Sequence, residues 1–369
     1  MRAGCLSPMS PCLRSRHDSR CFRENITMSK KVRICVFGAG RMGERHIANV
    51  AANERAELAY VVDTDLSRAT ALAGKYGSRA VDQPSVALSD PSVDAVIISS
   101  ATNTHVDLIV ASAKAGKAIL CEKPIDLDMS RVDMCAKAIE GCNVPIMIGF
   151  QRRFDATHRA VSDAVTRGEV GDVEVISIVS RDPSPPPAAY IAVSGGQFHD
   201  QMIHDFDLAL WLSGAAGRVE VFAMASNLVD PAIGELGDSD TAQVTLRFES
   251  GAFCRIDCSR RAAYGYDQRV EVFGSKGMVC SANPGRTAIE RYSVHATAAR
   301  DVLNPGFMER YWPTYAAELD AFLDVVCGAA RAAPDFESGR RALLLADAAR
   351  ESSRAGRIVV VDIGPGERL

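Results

Sequence analysis

The sequence predicts an α/β protein with an N-terminal Rossmann domain, built on a parallel doubly wound sheet, and a C-terminal α+β domain with a largely antiparallel open sheet. Three observations support this prediction. A short apolar strand runs into a glycine-rich turn near residue 38, strand–helix units then alternate up to about residue 150, and alternating strands with glycine turns follow. The length of 369 residues is sufficient for two such domains.

Composition and charge exclude several classes of protein. Apolar residues make up 47% of the chain and charged residues 24%, as in an ordinary globular protein. The 42 Lys and Arg against 46 Asp and Glu leave a net charge of −4, which is no basis for expecting nucleic acid or an acidic membrane as a partner. No run approaches the roughly 20 apolar residues of a membrane span. We expect a small-molecule partner.

The pattern of the 11 cysteines bears on the redox state of the cellular compartment and does not indicate a metal site. They follow neither a metal-ligand spacing nor the framework of a small disulfide-rich domain, and no secretory signal precedes them. We therefore expect reduced thiols, a cytoplasmic protein and no metal site.

Residues 1–27 differ from the rest of the chain. They contain several arginines and serines and three of the cysteines, without amphipathic periodicity. This pattern indicates a disordered leader or a mis-assigned start, with an organelle-targeting segment as the alternative. We expect the first domain to cover residues 28–150 and the second residues 151–369.

The first strand, Val32–Phe37, leads directly into a G-x-G-x-x-G motif and then a helical pattern. In this context the first glycine permits a tight turn, the second lets the backbone approach a pyrophosphate and the third lets the helix pack closely. The helix N-terminus offers amide donors to phosphates. The expected cofactor contacts in this motif are Gly38, Gly40, Arg41, Met42 and Gly43.

The second strand ends in Asp63, about 20 residues past the glycines. A carboxylate there accepts hydrogen bonds from the adenosine ribose hydroxyls and repels a 2′-phosphate. The sequence therefore predicts NAD as the cofactor, while nearby Arg68 leaves NADP open. The alternative interpretation is that Asp63 only caps a turn.

Further strands are predicted at residues 94–99, 118–121 and 145–150. Ligands of such sheets bind beyond the carboxyl ends of the strands. The segments at residues 100–105 and 122–124 follow two of these ends. From them we expect Ser100, Asn103, His105, Glu122 and Lys123 to contact the cofactor.

The second domain carries the segment that the prediction of function depends on, residues 194–212. After two glycines, a helical pattern places Asp200, His204 and Asp207 along one face, with an apolar stripe beside it. A carboxylate one turn before an imidazole can accept its N–H and leave the other ring nitrogen free as a base. The alternative is that Asp200 only favours the helix N-terminus and His204 only packs.

Strands predicted between residues 174 and 280, with closing helices near residues 311–326 and 338–355, complete the second domain. One face of its sheet has no obvious covering helix. We therefore expect a homo-oligomer, a dimer or a tetramer formed through this sheet.

These motifs together resemble the glucose-fructose oxidoreductase/inositol dehydrogenase/rhizopine-catabolism (Gfo/Idh/MocA) family. The resemblance rests on the glycine motif, Asp63, the Glu-Lys-Pro at residues 122–124 and the Asp-x-x-x-His at residues 200–204, and it spans roughly residues 31–362. Segments near residues 151–155, 264–269 and 309–319 are similar to the myo-inositol 2-dehydrogenases of that family.

The resemblance implies NAD-dependent oxidation of a cyclitol hydroxyl, with myo-inositol converted to 2-keto-myo-inositol (scyllo-inosose). It implies a catalytic set of Lys123, Asp200 and His204, in which His204 takes the hydroxyl proton. The implied substrate contacts are Lys123, Arg153, Asp200, His204, Asp207, Tyr264 and Tyr315, with Tyr266 as the alternative to Tyr264.

Three alternatives stay open. In the first, the protein is an oxidoreductase of the same family that acts on scyllo-inositol, a pyranose sugar or an amino-sugar derivative. In the second it is a non-catalytic NAD-sensing regulator, and in the third it is a domain that only assembles with partners. The regulator would be expected to lose Lys123 or His204, and both are present. Where some relatives have a histidine before an Arg-Asn-Pro or Arg-Asp-Pro turn, this chain has Ser180, which puts the substrate contacts on that side in doubt.

Overall fold

The structure is a computed structural model that describes residues 30–366. The leader expected at residues 1–27 lies outside the described residues. The described residues form two large sheets with their helices and one small two-stranded hairpin.

The first sheet is parallel and doubly wound, as predicted. Its strand order β3-β2-β1-β4-β5-β6 reverses direction beside β1, which is the switch point where such sheets bind ligands. The strands are β1 (Val32–Phe37), β2 (Ala56–Val62), β3 (Arg79–Val81), β4 (Ala95–Ile98), β5 (Ala118–Glu122) and β6 (Ile146–Gly149).

Helices cover both faces of the first sheet. Its central strands are therefore buried on both faces. All four residues of β4 and all five of β5 are buried, which is why their sequences are continuous apolar runs. The helices between the strands are α1 (Arg41–Ala52), α2 (Leu66–Tyr76), α3 (Pro84–Leu88), α4 (His105–Lys114) and α5 (Met129–Ile139). The short elements β3 and α3 are absent from the sequence prediction.

The second sheet has seven strands in the order β12-β11-β7-β10-β9-β8-β15. Only the β7–β10 pair among them is parallel in the described structure, so the predicted, largely antiparallel sheet is confirmed. The strands are β7 (Val173–Arg181), β8 (Arg218–Ser226), β9 (Thr241–Phe248), β10 (Phe253–Ser259), β11 (Asp267–Gly274), β12 (Gly277–Cys280) and β15 (Val359–Asp362), and the hairpin consists of β13 (Glu290–Ser293) and β14 (Ala296–Arg300).

The remaining helices follow residue 155, and three of them, at residues 156–166, 203–213 and 336–355, pack against one face of the second sheet. In β9, Ala242, Val244, Leu246 and Phe248 point into the core, and the intervening residues do not. These helices are α6 (Ala156–Thr166), α7 (Ala188–Ser194), α8 (Ile203–Ser213), α9 (Pro231–Glu235), α10 (Phe307–Val326) and α11 (Phe336–Ala355). The two long closing helices, α10 and α11, agree with the prediction.

Helix α10 returns from the second half of the chain to the first sheet. Its Leu319, Phe322 and Leu323 lie in one buried cluster with residues of β1 and β4, including Ile34 and Ile97. One outer face of the first sheet is therefore completed by a helix that begins at residue 307.

The opposite face of the second sheet carries exposed apolar side chains. The largest on the sheet strands are Phe222, Met224, Phe253, Phe273 and Met278. No described helix is both long enough and apolar enough to cross a membrane.

Candidate active site

The glycine motif forms a close-packed turn between β1 and α1. Gly38 has a φ of +95°, and a Cβ there would lie 2.7 Å from the backbone of Ser100. A Cβ on Gly43 would lie 1.9 Å from the carbonyl oxygen of Gly38, whereas one on Gly40 would have open space. Gly38 and Gly43 are thus required by packing, and Gly40 leaves room for a ligand.

Helix α1 begins directly after this turn. Gly40 occupies its N-cap position without a side-chain cap, and Arg41 and Met42 form its first residues. The first amides of the helix therefore face the turn without a side-chain acceptor at the cap, which is the arrangement that suits a phosphate.

Asp63 follows β2, at the carboxyl edge of the first sheet. Its Oδ2 accepts a hydrogen bond from the amide of Ala39 at 2.6 Å, and its Oδ1 accepts one from the amide of Asp65 at 2.8 Å. The first bond ties the carboxylate to the glycine turn, and the second ties it to the backbone that follows β2. Arg68 lies 3.7 Å from Asp65 rather than beside Asp63.

The residues after β4 form a polar cluster in which His105 joins two loops. The imidazole of His105 is buried and lies 2.9 Å from the carbonyl oxygen of Pro124 and 3.1 Å from that of Ser100. Burial lowers the pKa of His105. Asn103 lies in the 3-10 turn Thr102–Thr104, just before α4. Backbone carbonyls thus bind both ring nitrogens of His105, and cofactor contact stays a prediction for both residues.

Glu122, the last residue of β5, contacts a residue that the sequence prediction does not include. Its Oε1 lies 2.8 Å from Nε2 of His46, on α1. Tyr315 stacks edge-on against His46 with 6.0 Å between ring centroids. Farther along α10, Glu318 is fully buried, and neither of its carboxyl oxygens has a hydrogen-bond partner in the structure. Burial, followed by the charge of Glu122, raises the pKa of Glu318 well above its ordinary value.

Lys123 connects the two halves of the site. Its Nζ donates to the carbonyl oxygen of Asp200 at 2.8 Å and lies 3.4 Å from Oδ1 of the same residue. The same Oδ1 accepts a hydrogen bond from the hydroxyl of Tyr190 at 2.8 Å. The structure thus brings together Lys123 and Asp200, as predicted, and adds Tyr190 from α7.

The predicted helix over residues 200–207 is only partly correct. Residues Gln197–Gln201 form a π-helical turn, closed by a bond from the amide of Met202 to the carbonyl of Gln197, and α8 starts at Ile203. The wider turn removes Asp200 from the helical face of His204. The predicted hydrogen bond between them is not formed, because the Asp200 carboxylate instead faces Lys123 and Tyr190.

His204 is buried next to this cluster, with 8% of its surface exposed. Its ring packs edge-on against Phe150 at 6.0 Å, and its Nδ1 has no hydrogen-bond partner in the structure. Burial, followed by the positive charges of Lys123 and Arg152, holds the pKa of His204 well below its ordinary value. The imidazole is therefore neutral at neutral pH and able to accept a proton.

Two arginines from the turn after β6 form buried ion pairs with α8. Arg153 donates to both carboxylate oxygens of Asp207, with distances of 2.6 to 3.1 Å, and Asp207 is only 1% exposed. Arg152 donates a single hydrogen bond to Asp205, to its Oδ1 at 2.5 Å. Arg153 and Asp207 thus bind each other in this structure, and substrate contact by either stays a prediction.

The tyrosines predicted as substrate contacts lie in different surroundings. Tyr264 is half exposed, and its hydroxyl donates to Asp267 at 2.7 Å and accepts from Arg181 at 3.1 Å. Tyr315 is buried, and so is Tyr266, which stacks edge-on against Tyr311. Tyr264 is the more accessible side chain of the two, and substrate contact by any of these tyrosines stays a prediction.

Asp182 and Tyr190 are residues near Asp200 that the sequence prediction missed. Burial raises the pKa of Asp182 to about 7, the charges of Arg152 and Arg260 oppose this, and those of Asp200 and Asp205 add to it. The Arg-Asp-Pro turn at residues 181–183 was the available signal for Asp182. No local pattern marks Tyr190, which reaches Asp200 only through the tertiary fold.

Two family models match the chain. Residues 32–150 match an oxidoreductase family with an NAD-binding Rossmann fold, and residues 158–280 match the GFO/IDH/MocA C-terminal domain. The two matches correspond to the two sheets.

Individual relatives cover most of the chain. An inositol 2-dehydrogenase from Rhizobium meliloti is 46% identical over 323 residues, which is 87% of this chain and 96% of the relative. A scyllo-inositol 2-dehydrogenase (NAD+) from Bacillus subtilis is 33% identical over 81% of this chain and 87% of its own length. The crystal structure of a myo-inositol dehydrogenase from Corynebacterium glutamicum superposes with a TM-score of 0.86 at 41% identity, covering 90% of this chain and 99% of that one.

Proposed function

The chain belongs to the GFO/IDH/MocA family of NAD-dependent oxidoreductases that act on CH–OH groups, and on that premise we propose that it oxidises myo-inositol to 2-keto-myo-inositol (scyllo-inosose) in inositol catabolism. The observation that carries the proposal is the contact of Lys123 with Asp200, beside a buried and neutral His204. A cation and a base thus lie together at the carboxyl end of β5, where a parallel sheet binds its ligands.

The residues around the glycine turn fit NAD. The open space at Gly40 and the uncapped start of α1 suit a pyrophosphate, and the fixed carboxylate of Asp63 suits ribose hydroxyls rather than a 2′-phosphate. We propose that NAD is bound by the residues predicted from the sequence as cofactor contacts. These are Gly38, Gly40, Arg41, Met42, Gly43, Asp63, Ser100, Asn103, His105, Glu122 and Lys123. When bound, NAD supplies the acceptor for the hydrogen that leaves the substrate carbon.

Two side chains act on the substrate hydroxyl in this proposal, and a third holds one of them in place. Lys123 donates a hydrogen bond to the reacting oxygen and stabilises its developing negative charge. His204, kept neutral by burial and by the charges of Lys123 and Arg152, accepts the hydroxyl proton. Asp200 holds Lys123 through its carbonyl and carboxylate oxygens, a role that replaces the expected orientation of the imidazole.

Oxidation of scyllo-inositol is the second candidate function, and the 33% identity with the Bacillus subtilis scyllo-inositol 2-dehydrogenase favours it. NADH formation by the full chain with myo-inositol, scyllo-inositol, D-chiro-inositol and D-glucose distinguishes the two. We expect the highest kcat/KM with myo-inositol. Preference for another polyol would change the substrate and keep the mechanism, whereas no turnover with intact NAD binding would favour an NAD-sensing regulator.

We also propose that copies of the chain associate through the uncovered face of the second sheet, to a dimer or a homotetramer. The support is its set of exposed apolar side chains, among them Phe222, Phe253 and Phe273. Light scattering at micromolar concentration tests this, and a monomer would contradict it. Replacing Phe253 by Glu is expected to weaken the association.

The cellular location and the domain division are proposals as well. Free cysteines throughout residues 30–366 support a reducing compartment, which we propose is the cytoplasm. The family matches support domains at residues 28–150 and 151–369.

A further inference from the structure

We propose that Tyr190 is a positioning residue for Lys123: its hydroxyl occupies the Asp200 carboxylate and thereby keeps the Lys123 ammonium available to the substrate. This inference rests on the proposed function, in which Lys123 binds the reacting hydroxyl. Tyr190 lies on α7, outside the set of residues that the sequence predicted for the site.

The distances around Asp200 show a competition between two donors. Hydrogen bonds between an ammonium and a carboxylate are normally about 2.7–2.9 Å long. Nζ of Lys123 instead lies 3.4 Å from Oδ1 of Asp200, while the Tyr190 hydroxyl donates to the same atom at 2.8 Å. The short bond of Lys123 is to the Asp200 carbonyl, a neutral acceptor. The carboxylate therefore lies close to Lys123 without forming a tight ion pair with it.

The charges around Tyr190 keep its hydroxyl a donor. Tyr190 is 39% exposed. Its partial burial and the charge of Asp200 raise its pKa, and the positive charges of Arg41 and Arg260 oppose this only in part. A protonated phenol beside a carboxylate has one proton to share, and it gives that proton to Oδ1.

The backbone that follows Tyr190 is held by packing. Ile191 next to it is buried, and a Cβ on Gly195, which follows α7, would lie 2.5 Å from Cδ2 of Leu127. The end of α7 therefore packs against the loop that follows Lys123. This packing keeps the Tyr190 hydroxyl close to the end of β5, which Lys123 follows.

Loss of the Tyr190 hydroxyl frees Oδ1 of Asp200. The carboxylate is then able to close on Lys123 and bind it at a charge-assisted distance, which withdraws the ammonium from the reacting oxygen. Because the ammonium acts on charge that develops during the reaction, kcat falls more than substrate or cofactor binding. We expect Tyr190→Phe to lower kcat about tenfold, with the KM for myo-inositol and the Kd for NAD changed less than about twofold.

The matched control is Tyr292→Phe. The Tyr292 hydroxyl also donates to a carboxylate, that of Glu290 at 2.9 Å, but it lies on the exposed β13–β14 hairpin. We expect its kcat, KM and Kd to equal those of the wild type. A double-mutant cycle tests whether Tyr190 acts through Asp200. In an Asp200→Ala background, Tyr190→Phe is expected to have no further effect on kcat, because the carboxylate through which Tyr190 acts is gone.

Each outcome of this experiment decides. A tenfold loss in kcat that vanishes in the Asp200→Ala background supports the inference. A kcat within about twofold of wild type, an effect that persists without Asp200, or a raised KM with unchanged kcat overturns it, and the last would make Tyr190 a direct substrate contact. An inactive wild type with every polyol tested overturns the proposed function and this inference together, whereas an active wild type confines any failure to Tyr190.

Discussion

The ammonium of Lys123 lies 2.8 Å from the carbonyl oxygen of Asp200, and this contact joins the end of β5 in the first sheet to the π-helical turn that precedes α8. The proposed cofactor edge and the proposed base are thus linked by a main-chain acceptor that no substitution at residue 200 removes. The Asp200 carboxylate can therefore be varied while one anchor of Lys123 is kept.

Removal of either proposed catalytic group is expected to abolish turnover and spare cofactor binding. Lys123→Met or His204→Ala should lower kcat by roughly 100-fold or more, since each removes a group that acts on the reacting hydroxyl. NADH formation measures kcat, and calorimetry measures the NAD affinity, which should stay nearly unchanged. Turnover within about threefold of wild type would exclude the residue from the mechanism.

The pH dependence of kcat/KM follows from the environment of His204. Its neutral form is the active base, and its pKa in the folded protein is lowered well below the ordinary 6.5. The base therefore stays deprotonated as the pH falls through 6.5, and activity decreases only at lower pH. The profile of kcat/KM between acid and neutral pH tests this, with NAD saturating. An acid limb at or above pH 6.5 would contradict it.

Glu318 is expected to lower stability as the pH rises. Its folded-state pKa is raised above the ordinary 4.5 by burial and by the charge of Glu122, so the folded protein retains a proton that the unfolded chain has lost. Stability then falls as the pH rises above 4.5 towards the folded-state pKa. Glu318→Gln removes this dependence and should raise Tm at pH 8 relative to wild type, with no gain at pH 4. An equal change in Tm at both pH values would rule out the titration of Glu318 as the cause.

The Arg153–Asp207 pair is expected to contribute to folding whatever its role in binding. Asp207→Ala removes the carboxylate from a guanidinium that is itself buried, which typically costs about 3–5 kcal/mol. Urea unfolding measures this loss. The double replacement Arg153→Met with Asp207→Leu should be considerably less destabilising. A loss below about 1 kcal/mol in Asp207→Ala would place the pair among solvated ion pairs.

Asp63 is expected to control the choice between NAD and NADP. Asp63→Ala removes the carboxylate that the amides of Ala39 and Asp65 fix at the end of β2. A hydrogen bond to a charged group contributes about 1.5–3 kcal/mol, so NAD affinity should fall roughly tenfold or more. NADP affinity should rise relative to that of NAD because the repulsion is gone. An unchanged ratio of the two affinities would show that Asp63 serves the turn alone.

Local patterns were sufficient for five of the six strands of the first sheet and for the glycine turn. Positions such as Gly38 and Gly43 are dictated by backbone contacts within a strand–turn–helix unit, and the sequence alone shows that unit. The strand β3 has three residues and α3 five, which is too short for a periodic signal. The strand β3 forms because it pairs with β2, and α3 forms where it packs against β2, β3 and α4.

The site was less predictable because its geometry depends on one irregular turn and on distant segments. Helical spacing places Asp200 beside His204, but the π-helical turn directs it towards Lys123 instead. Tyr190 precedes Asp200 by 10 residues, across the break between α7 and the π-helical turn, and Glu318 on α10 is far along the chain from Glu122, so no helical or strand spacing relates either pair. For Asp200, the sequence indicated that a carboxylate takes part in the site. It did not indicate which side chains this carboxylate contacts.

The return of α10 to the first sheet has a consequence for the order in which the protein is made. Leu319, Phe322 and Leu323 fill the layer over Ile34 and Ile97, yet they are synthesised almost 300 residues after β1. A nascent chain that ends at Phe150 lacks α10, so part of this apolar face of the sheet stays exposed, and chaperones bind such surfaces. Final closure of the nucleotide-binding half therefore awaits synthesis of nearly the whole polypeptide, and a chain that stops before α10 lacks part of the core of that half.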